Sequence, residues 1–379
     1  MALICLIAGE QSGDILGARL MRALRLRRPD LRFSGIGGEA MQKEGLRSLF
    51  PIRDIALMGF LEVVPRLHRL RVRLSQTARF VGQQRPDVVV TIDSPGFTLR
   101  VLRAIEPLGI RRVHYVAPQA WAWRESRVKR YPGLWDRLLC LLPFEPPFFA
   151  RHGLPATFVG HPVVESGADT GDASRFRARH GIAPDMRIIT LMPGSRPTEV
   201  MRLLPVLNAT LGLLDRRVPG LLPVIPIAAP VAGAVREATI SWPVKPLLIT
   251  ESADKHDAFA ASAAALTKSG TSTLELAMAG VPMLVTYRVN FLSAAIARRL
   301  VKVRYASLLN LLADREIVPE LLQEACTPPR LANALEGLLT DPAAGVRQRT
   351  AFSDTLALLR PPSGAPSEAA ADAVLQLLG

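Results

Sequence analysis

Cysteine is scarce. Only Cys5, Cys140 and Cys326 occur in 379 residues, far apart and without ligand-like spacing, so neither a disulfide framework nor a cysteine-built zinc site is expected, and a reducing cytoplasm fits. Long apolar runs are missing too. The longest, Leu221 to Val235, is broken by Pro223, Pro226, Pro230 and Gly233, and no membrane span is predicted although hydrophobic residues make up 49% of the chain. The opening MALICLIAGE lacks the basic flank of a secretory signal and reads as a first strand. No G-x-x-x-x-G-K-[ST] occurs, which excludes a P-loop, and no Asp-x-Asp, which suggests that no divalent metal or other cofactor is needed. Basic residues are not interleaved with aromatic platforms, which argues against nucleic acid as a partner.

Positive charge, by contrast, is abundant. The formal net charge of +14 points toward phosphate-rich partners, although 41 Arg against 6 Lys is an imbalance that genomic base composition could also cause. Placement must decide, and placement follows from the order of elements.

Short β-rich runs alternate with helix-period runs: Leu3–Ala8, then Leu16, Leu20 and Leu24 on a helix opened by Asp14 and ended before Pro29, then Arg32–Gly35, Val88–Ile92, Arg112–Val116, Arg137–Leu142 and Ala156–Val159. A second series follows, with Arg187–Leu191, Leu222–Ile227, Pro246–Ile249, Ala263–Thr267 and Met283–Tyr287. This is the pattern of two parallel α/β sheets, with a cleft possible between them. Glu165 to Ser174 is polar and small, as a linker would be. The predicted domains are residues 1–165, residues 175–345, and C-terminal helices in 346–379 possibly crossing back to the first domain.

Two loops in the second series could seat a diphosphate. In Met192-Pro-Gly-Ser-Arg-Pro-Thr-Glu199, Gly194 permits close backbone approach, helix-terminal amides are free, and Arg196 can bond a phosphate bidentately. The plain alternative is a strand-helix turn capped by Ser195. Lys268-Ser269-Gly270-Thr271-Ser272-Thr-Leu-Glu275 repeats the device, with Glu275 near ribose hydroxyls or simply a favourable acid near the helix N-terminus. In the first series, Glu10 and Ser12 sit in the turn AGEQSGD, and Asp93 in TIDSPGF could deprotonate an acceptor hydroxyl or form an Asx turn before Pro95. Gly35-Ile-Gly-Gly-Glu-Ala40 matches the dinucleotide fingerprint, with Asp54 downstream, but it follows the second strand rather than the first. Leu57 to Leu74 carries Phe60, Val63, Val64, Leu67 and Leu70 beside Arg66, Arg69 and Arg73. It is either an interfacial helix on anionic lipid or a helix packed on its own sheet, with Pro65 expected to kink or divide it. Trp121 and Trp123 in HYVAPQAWAWR could line an acceptor site or sit as core aromatics beneath a loop.

Taken together in order, AGEQSGD, ALMGFLEV, TIDSP, HYVAPQAWAWR, LPFE, FVGHP, LMPGSR, SGTSTLE and SLLNLLADREIVPELLQ resemble the lipid A disaccharide synthase family across nearly the whole chain. The resemblance implies a GT-B fold of two Rossmann-like domains and an inverting transfer. A 2,3-diacylglucosamine unit would pass from UDP to the 6-hydroxyl of 2,3-diacylglucosamine 1-phosphate (lipid X), giving a β-1',6-linked disaccharide and UDP. It places the family's essential aspartate on Asp93, its phosphate-binding arginine on Arg196, its N-terminal loop acid on Glu10, and its nucleotide-site acid and amide on Glu275 and Asn310. It further implies a peripheral enzyme on the anionic cytoplasmic face of the inner membrane, and a possible homodimer. Gly96 stands where the family often has a second acid, and Leu309 and Asp314 replace its more usual Pro and Gly.

Overall fold

Two runs of alternating strands and helices build two parallel sheets. A computed structural model describes residues 1–55, 63–123, 125–290, 294 and 299–378. They fall into two units, Met1–Pro162 with Leu359–Gly379, and Val163–Leu358.

Unit 1 contains β1 (Leu3–Ala8), β2 (Arg32–Ile36), β3 (Val88–Ile92), β4 (Arg111–Tyr115), β5 (Arg137–Cys140) and β6 (Ala156–Phe158), in the order β2-β1-β3-β4-β5-β6. Because β1 and β3 are covered on both faces, their sequences are continuous apolar runs rather than alternating ones. Alternate residues nevertheless serve different cores. Ile4 and Leu6 face Leu20 and Leu24 of the helix Gln11–Arg27 and Ala370 and Val374 of Pro366–Leu375, whereas Cys5 and Ile7 share the opposite core with Phe97 and Val101. Truncating Leu24, wholly buried in this core, to Ala would cost about 2–5 kcal/mol.

Unit 2 contains β7 (Arg187–Met192), β8 (Leu221–Pro226), β9 (Leu247–Ile249), β10 (Ser262–Lys268), β11 (Met283–Tyr287) and β12 (Glu320–Leu322), in the order β12-β11-β10-β7-β8-β9. Leu203, Leu207 and Leu211 of the helix Pro197–Asp215 recur every fourth residue and pack on Ile189, Leu191 and Leu266.

In each sheet the chain starts near the middle, builds outward to one side, and returns to build the other. The reversal falls between β1 and β3 in unit 1 and between β7 and β10 in unit 2. Ligands of open α/β sheets bind at the strand C-termini at such points, because the loops there diverge and leave a crevice.

Three sequence expectations change. Residues 165–174 are not a free linker: Asp172 accepts from Arg175 N (3.0 Å) to cap the helix Ala173–His180, its own amide donates to Asp257 (2.8 Å), and Gly171 lies so close to His256 that a Cβ would meet its carbonyl oxygen at 2.0 Å. The helix Pro342–Ala357 stays in unit 2, and only residues from Leu359 onward belong to unit 1. The helix Val63–Gln84 runs through Pro65 without a break, so Pro65 does not divide it.

Candidate active site

The loops after β1 and β3 meet at the switch point of unit 1. Gly9 is required there, since a Cβ on it would fall 2.1 Å from the Ser94 Cβ. Beyond it Glu10 takes an extended conformation and leads into the helix Gln11–Arg27, whose first turn brings Ser12 to Asp93: the Ser12 hydroxyl donates to Asp93 Oδ2 at 3.0 Å. Asp93 Oδ1 accepts from the adjacent Ser94 amide at 2.7 Å, which is not the bond two residues on that an Asx turn needs, since Pro95 has no N–H to give. The backbone here is costly. Asp93 and Ser94 are both left-handed, at φ 55° and 44°, and Val116, at the end of the adjacent strand β4, stands at φ 79°, where a β-branched residue is a pronounced outlier. Strain is concentrated at three residues on neighbouring strand ends, a feature of functional loops. A Cβ at Gly96 would meet nothing within 4 Å, so the loop has room for the second acid that this chain lacks.

Behind this loop His114 is wholly buried. Its Nδ1 lies 2.8 Å from Thr91 Oγ1, its ring stacks on Trp135 at 5.8 Å, and desolvation pushes its pKa down to about 3, so it is a neutral core group. Trp121 is neither wholly core nor free. Its indole N–H donates to Glu145 Oε1 at 3.0 Å and its ring meets Phe144 edge-on at 4.8 Å. The buried Glu145 also accepts from the amides of Leu141 and Leu142, both at 3.0 Å, and burial pushes its pKa up to about 7. The motifs HYVAPQAWAWR and LPFE are thus joined through one carboxylate that sequence reasoning passed over.

The dinucleotide fingerprint has a different use. Asp14 does not cap its own helix, which starts at Gln11. Its buried carboxylate accepts from Gly38 N (2.7 Å), Ala40 N (2.9 Å) and Met41 N (3.1 Å). The anion seat at the N-terminus of the short helix Glu39–Lys43 is filled by the protein itself, and Asp54 is held by Arg73.

In unit 2 the two cradles stand side by side at the switch point. Gly194, at φ 119°, turns the chain after β7, and a Cβ there would meet Glu199 Oε2 at 2.7 Å. Ser195 is exposed and caps nothing; Arg196 occupies the N-cap position of Pro197–Asp215 with its side chain 63% exposed and its Nη1 3.8 Å from Glu199 Oε1. Gly270, at φ 154°, caps the helix Thr271–Met278, where the Thr273 amide donates to the Gly270 carbonyl at 3.1 Å and the amides of Thr271 and Ser272 precede the first intrahelical bond. The cradles are tied together by Lys268, whose Nζ lies 3.1 Å from Oε2 of the buried Glu199, while the Tyr287 hydroxyl donates to Glu199 Oε1 at 3.3 Å. Burial raises the Tyr287 pKa, and the neighbouring Glu199 adds to the shift. Glu275 is met by Lys255, whose Nζ donates to both carboxylate oxygens at 2.8 and 2.7 Å. Lys255, Lys268, Glu199 and Tyr287 were missed in the sequence. Lys268, directly before the Ser-Gly turn, carried the one available signal.

Two assignments need correction. Asn310 is 0% exposed and fully bonded: its Nδ2 donates to Val318 O (2.9 Å) and Glu320 Oε1 (2.8 Å), and its Oδ1 accepts from Ile317 N (2.8 Å) and Val318 N (3.0 Å). It cannot touch a nucleotide without breaking its own loop. Asp314 closes the short helix before that loop at φ 50°, a conformation suited to the glycine usual at this position. Leu70 is 5% exposed, packed with Phe97, Val101 and Val81, and so not lipid-facing. Phe60 and the side chains of Val63, Val64 and Leu67 lie outside the described residues. Along the same helix Arg73, Gln76, Arg79, Phe80 and Gln83 line a shallow open groove with Leu49. Among the described residues no helix is long and apolar enough to cross a membrane.

Two six-stranded parallel sheets, each with its loops gathered at a switch point, define the GT-B class. Solved structures with this architecture include UDP-GlcNAc 2-epimerase from Neisseria meningitidis bound to UDP-GlcNAc (TM-score 0.64, 12% identity, 100% of this chain and 99% of that one) and MurG from Acinetobacter baumannii (TM-score 0.57, 15% identity, 99% and 100%). The likeness fixes the fold, and sequence fixes the family. Residues 4–374 match the family described as lipid-A-disaccharide synthetase. The chain is 58% identical to the lipid-A-disaccharide synthase of Granulibacter bethesdensis over 100% of its own length and 99% of the relative's, and 57% identical to that of Gluconobacter oxydans over 99% and 90%. It belongs to the lipid-A-disaccharide synthase family, glycosyltransferases of lipid A biosynthesis.

Proposed function

We propose that this chain condenses UDP-2,3-diacylglucosamine with 2,3-diacylglucosamine 1-phosphate, inverting the donor anomeric centre and releasing UDP. The observation that carries the reading is Asp93, a carboxylate held by Ser12 and the Ser94 amide at the switch point, on backbone strained to present it. As base it takes the proton of the acceptor 6-hydroxyl as that oxygen attacks the anomeric carbon, a role worth roughly 10²–10⁴ in rate. Glu10, on the neighbouring loop, orients the acceptor. The departing diphosphate is received by the first-turn amides beside Gly194, Ser195, Ser269, Gly270, Thr271 and Ser272, and by Arg196. Glu275 accepts from the ribose hydroxyls while Lys255 holds it in place. Arg196 and Lys268 supply the positive charge at the leaving group, so the reading assigns no step to a divalent metal.

Acyl chains stay in the anionic leaflet, which the basic helix Val63–Gln84 approaches; Leu70, buried in the core, takes no part in that contact. An epimerase sharing the donor cradle would isomerise the donor alone. Incubating purified protein with both monosaccharides and resolving the products tests the reading: a β-1',6-linked disaccharide 1-phosphate with stoichiometric UDP is expected, and an epimerised donor without transfer would overturn it.

A further inference from the structure

Asn310 is too fully bonded to hold a ligand, and what it holds instead leads back to the cradle. Its amide donates to Glu320 Oε1 at 2.8 Å. Glu320 opens the edge strand β12, and the same Oε1 accepts from the Ser307 amide at 2.8 Å while Oε2 accepts from the Ala306 amide at 2.8 Å. The Ala306 carbonyl then accepts from Ser269 Oγ at 2.6 Å. Since β12, β11 and β10 are consecutive in the sheet, this chain of bonds runs from the sheet edge past the end of β11 to the loop that follows β10.

We propose that Glu320 is a positioning residue for the nucleotide diphosphate. The claim rests on the reading that the cradle seats a nucleoside diphosphate. Glu320 gathers three N–H donors on one carboxylate, two of them backbone amides of residues 306 and 307, and so fixes the Ala306 carbonyl in space. That carbonyl takes the Ser269 hydroxyl, which sets the turn at Gly270 and the direction of the first-turn amides of Thr271–Met278. An amide at position 320 would turn an NH2 group toward one of those donors and release the 306–307 segment. Asn310 completes the anchor from the far side, which explains an asparagine essential to the loop yet shielded from any ligand.

The test is E320Q in the full-length protein, with affinities for UDP and for uridine measured by calorimetry, and KM for donor and acceptor from initial rates. The UDP Kd and donor KM should rise about tenfold, the loss expected when a charge-assisted bond holding the diphosphate amides is removed, while uridine affinity and acceptor KM stay within about twofold. S269A should give the same UDP-selective loss. The double variant should be no weaker than the weaker single, because both act through Ala306. Equal loss of UDP and uridine affinity, unchanged UDP affinity, or additive losses would each overturn the relay. Should E320Q not fold, E320D, with its carboxylate one methylene short of both amides, is held to the same outcomes. Failure of the wild type to bind UDP would instead sink the underlying donor-site reading.

Discussion

At the end of β3 the chain turns left-handed on Asp93 and Ser94; at the ends of β7 and β10 it turns on Gly194 and Gly270. All four positions have positive φ, yet one pair carries side chains and the other has none. On the proposed function, the difference follows from what each loop supplies. A base must be a side chain, so unit 1 keeps one at the tightest point of its turn and tolerates the strain. A diphosphate seat is made of backbone amides, so unit 2 removes the Cβ that would stand in the way. The carboxylates divide in the same manner. Glu199 and Glu275 in unit 2 face Lys268 and Lys255, whereas Glu145 in unit 1 is held by three N–H dipoles and burial pushes its pKa up to about 7.

The comparison can be broken most severely at Asp93. Asp93→Ala should lower the transfer rate by roughly 10³ while leaving the UDP Kd within about twofold, as followed by product formation and calorimetry. A parallel loss of UDP affinity would mean that the two loops are not specialised as described. Arg196→Ala should do the reverse, weakening UDP by about 10- to 100-fold, the worth of one charged hydrogen bond to phosphate, and an unchanged Kd would remove Arg196 from the cradle.

Glu145 gives an effect visible in stability alone. Its folded pKa is raised from an ordinary 4.5 to about 7, so the folded state prefers the protonated acid; its contribution is fully present below about pH 4.5 and is lost as pH rises through 7. Relative to E145Q, the wild type should lose on the order of 3 kcal/mol between pH 4 and pH 8 in denaturant titrations. His114 and His161 act in the opposite sense, because burial pushes their pKa values down to about 3 and about 4 and stability falls as pH drops below about 6.5; subtracting the E145Q profile removes them. A flat difference profile would show that the carboxylate is solvated. The smallest effect tests the strain itself: Ser94→Gly should stabilise unit 1 by about 1 kcal/mol, seen as a raised melting temperature, and a decrease would mean that the left-handed turn costs nothing there.

Much of this could be read from residues. Val88–Ile92 and Met283–Tyr287 match observed strands end to end, because short runs of apolar, β-branched and aromatic residues between turn signals have few other fates in an α/β chain. The strand Glu320–Leu322 was not legible: three residues at a sheet edge have no period to detect. Asp93 and both cradles fall at switch points, which strand order predicts once two series are recognised. Asn310 shows where reading by position fails. A motif records that an amide is needed, but not whether it faces a nucleotide or the carbonyl of Val318, and only the packing of the loop decides. Lys255 and Glu275 are 20 residues apart and meet only because two helices flank one strand.

The helix Pro366–Leu375 lies against Gln11–Arg27 and places Ala370, Ala371 and Val374 in the core beneath β1. Unit 1 therefore takes its last structural piece from the far end of the chain, after all of unit 2. During synthesis the first 162 residues emerge with one flank of their sheet uncovered and wait while nearly 200 more are made, although the second unit has its whole sequence in hand. Chains halted before residue 359 should yield a protease-resistant unit 2 joined to a degradable unit 1. The half that carries the proposed base is thus the half whose folding is finished last.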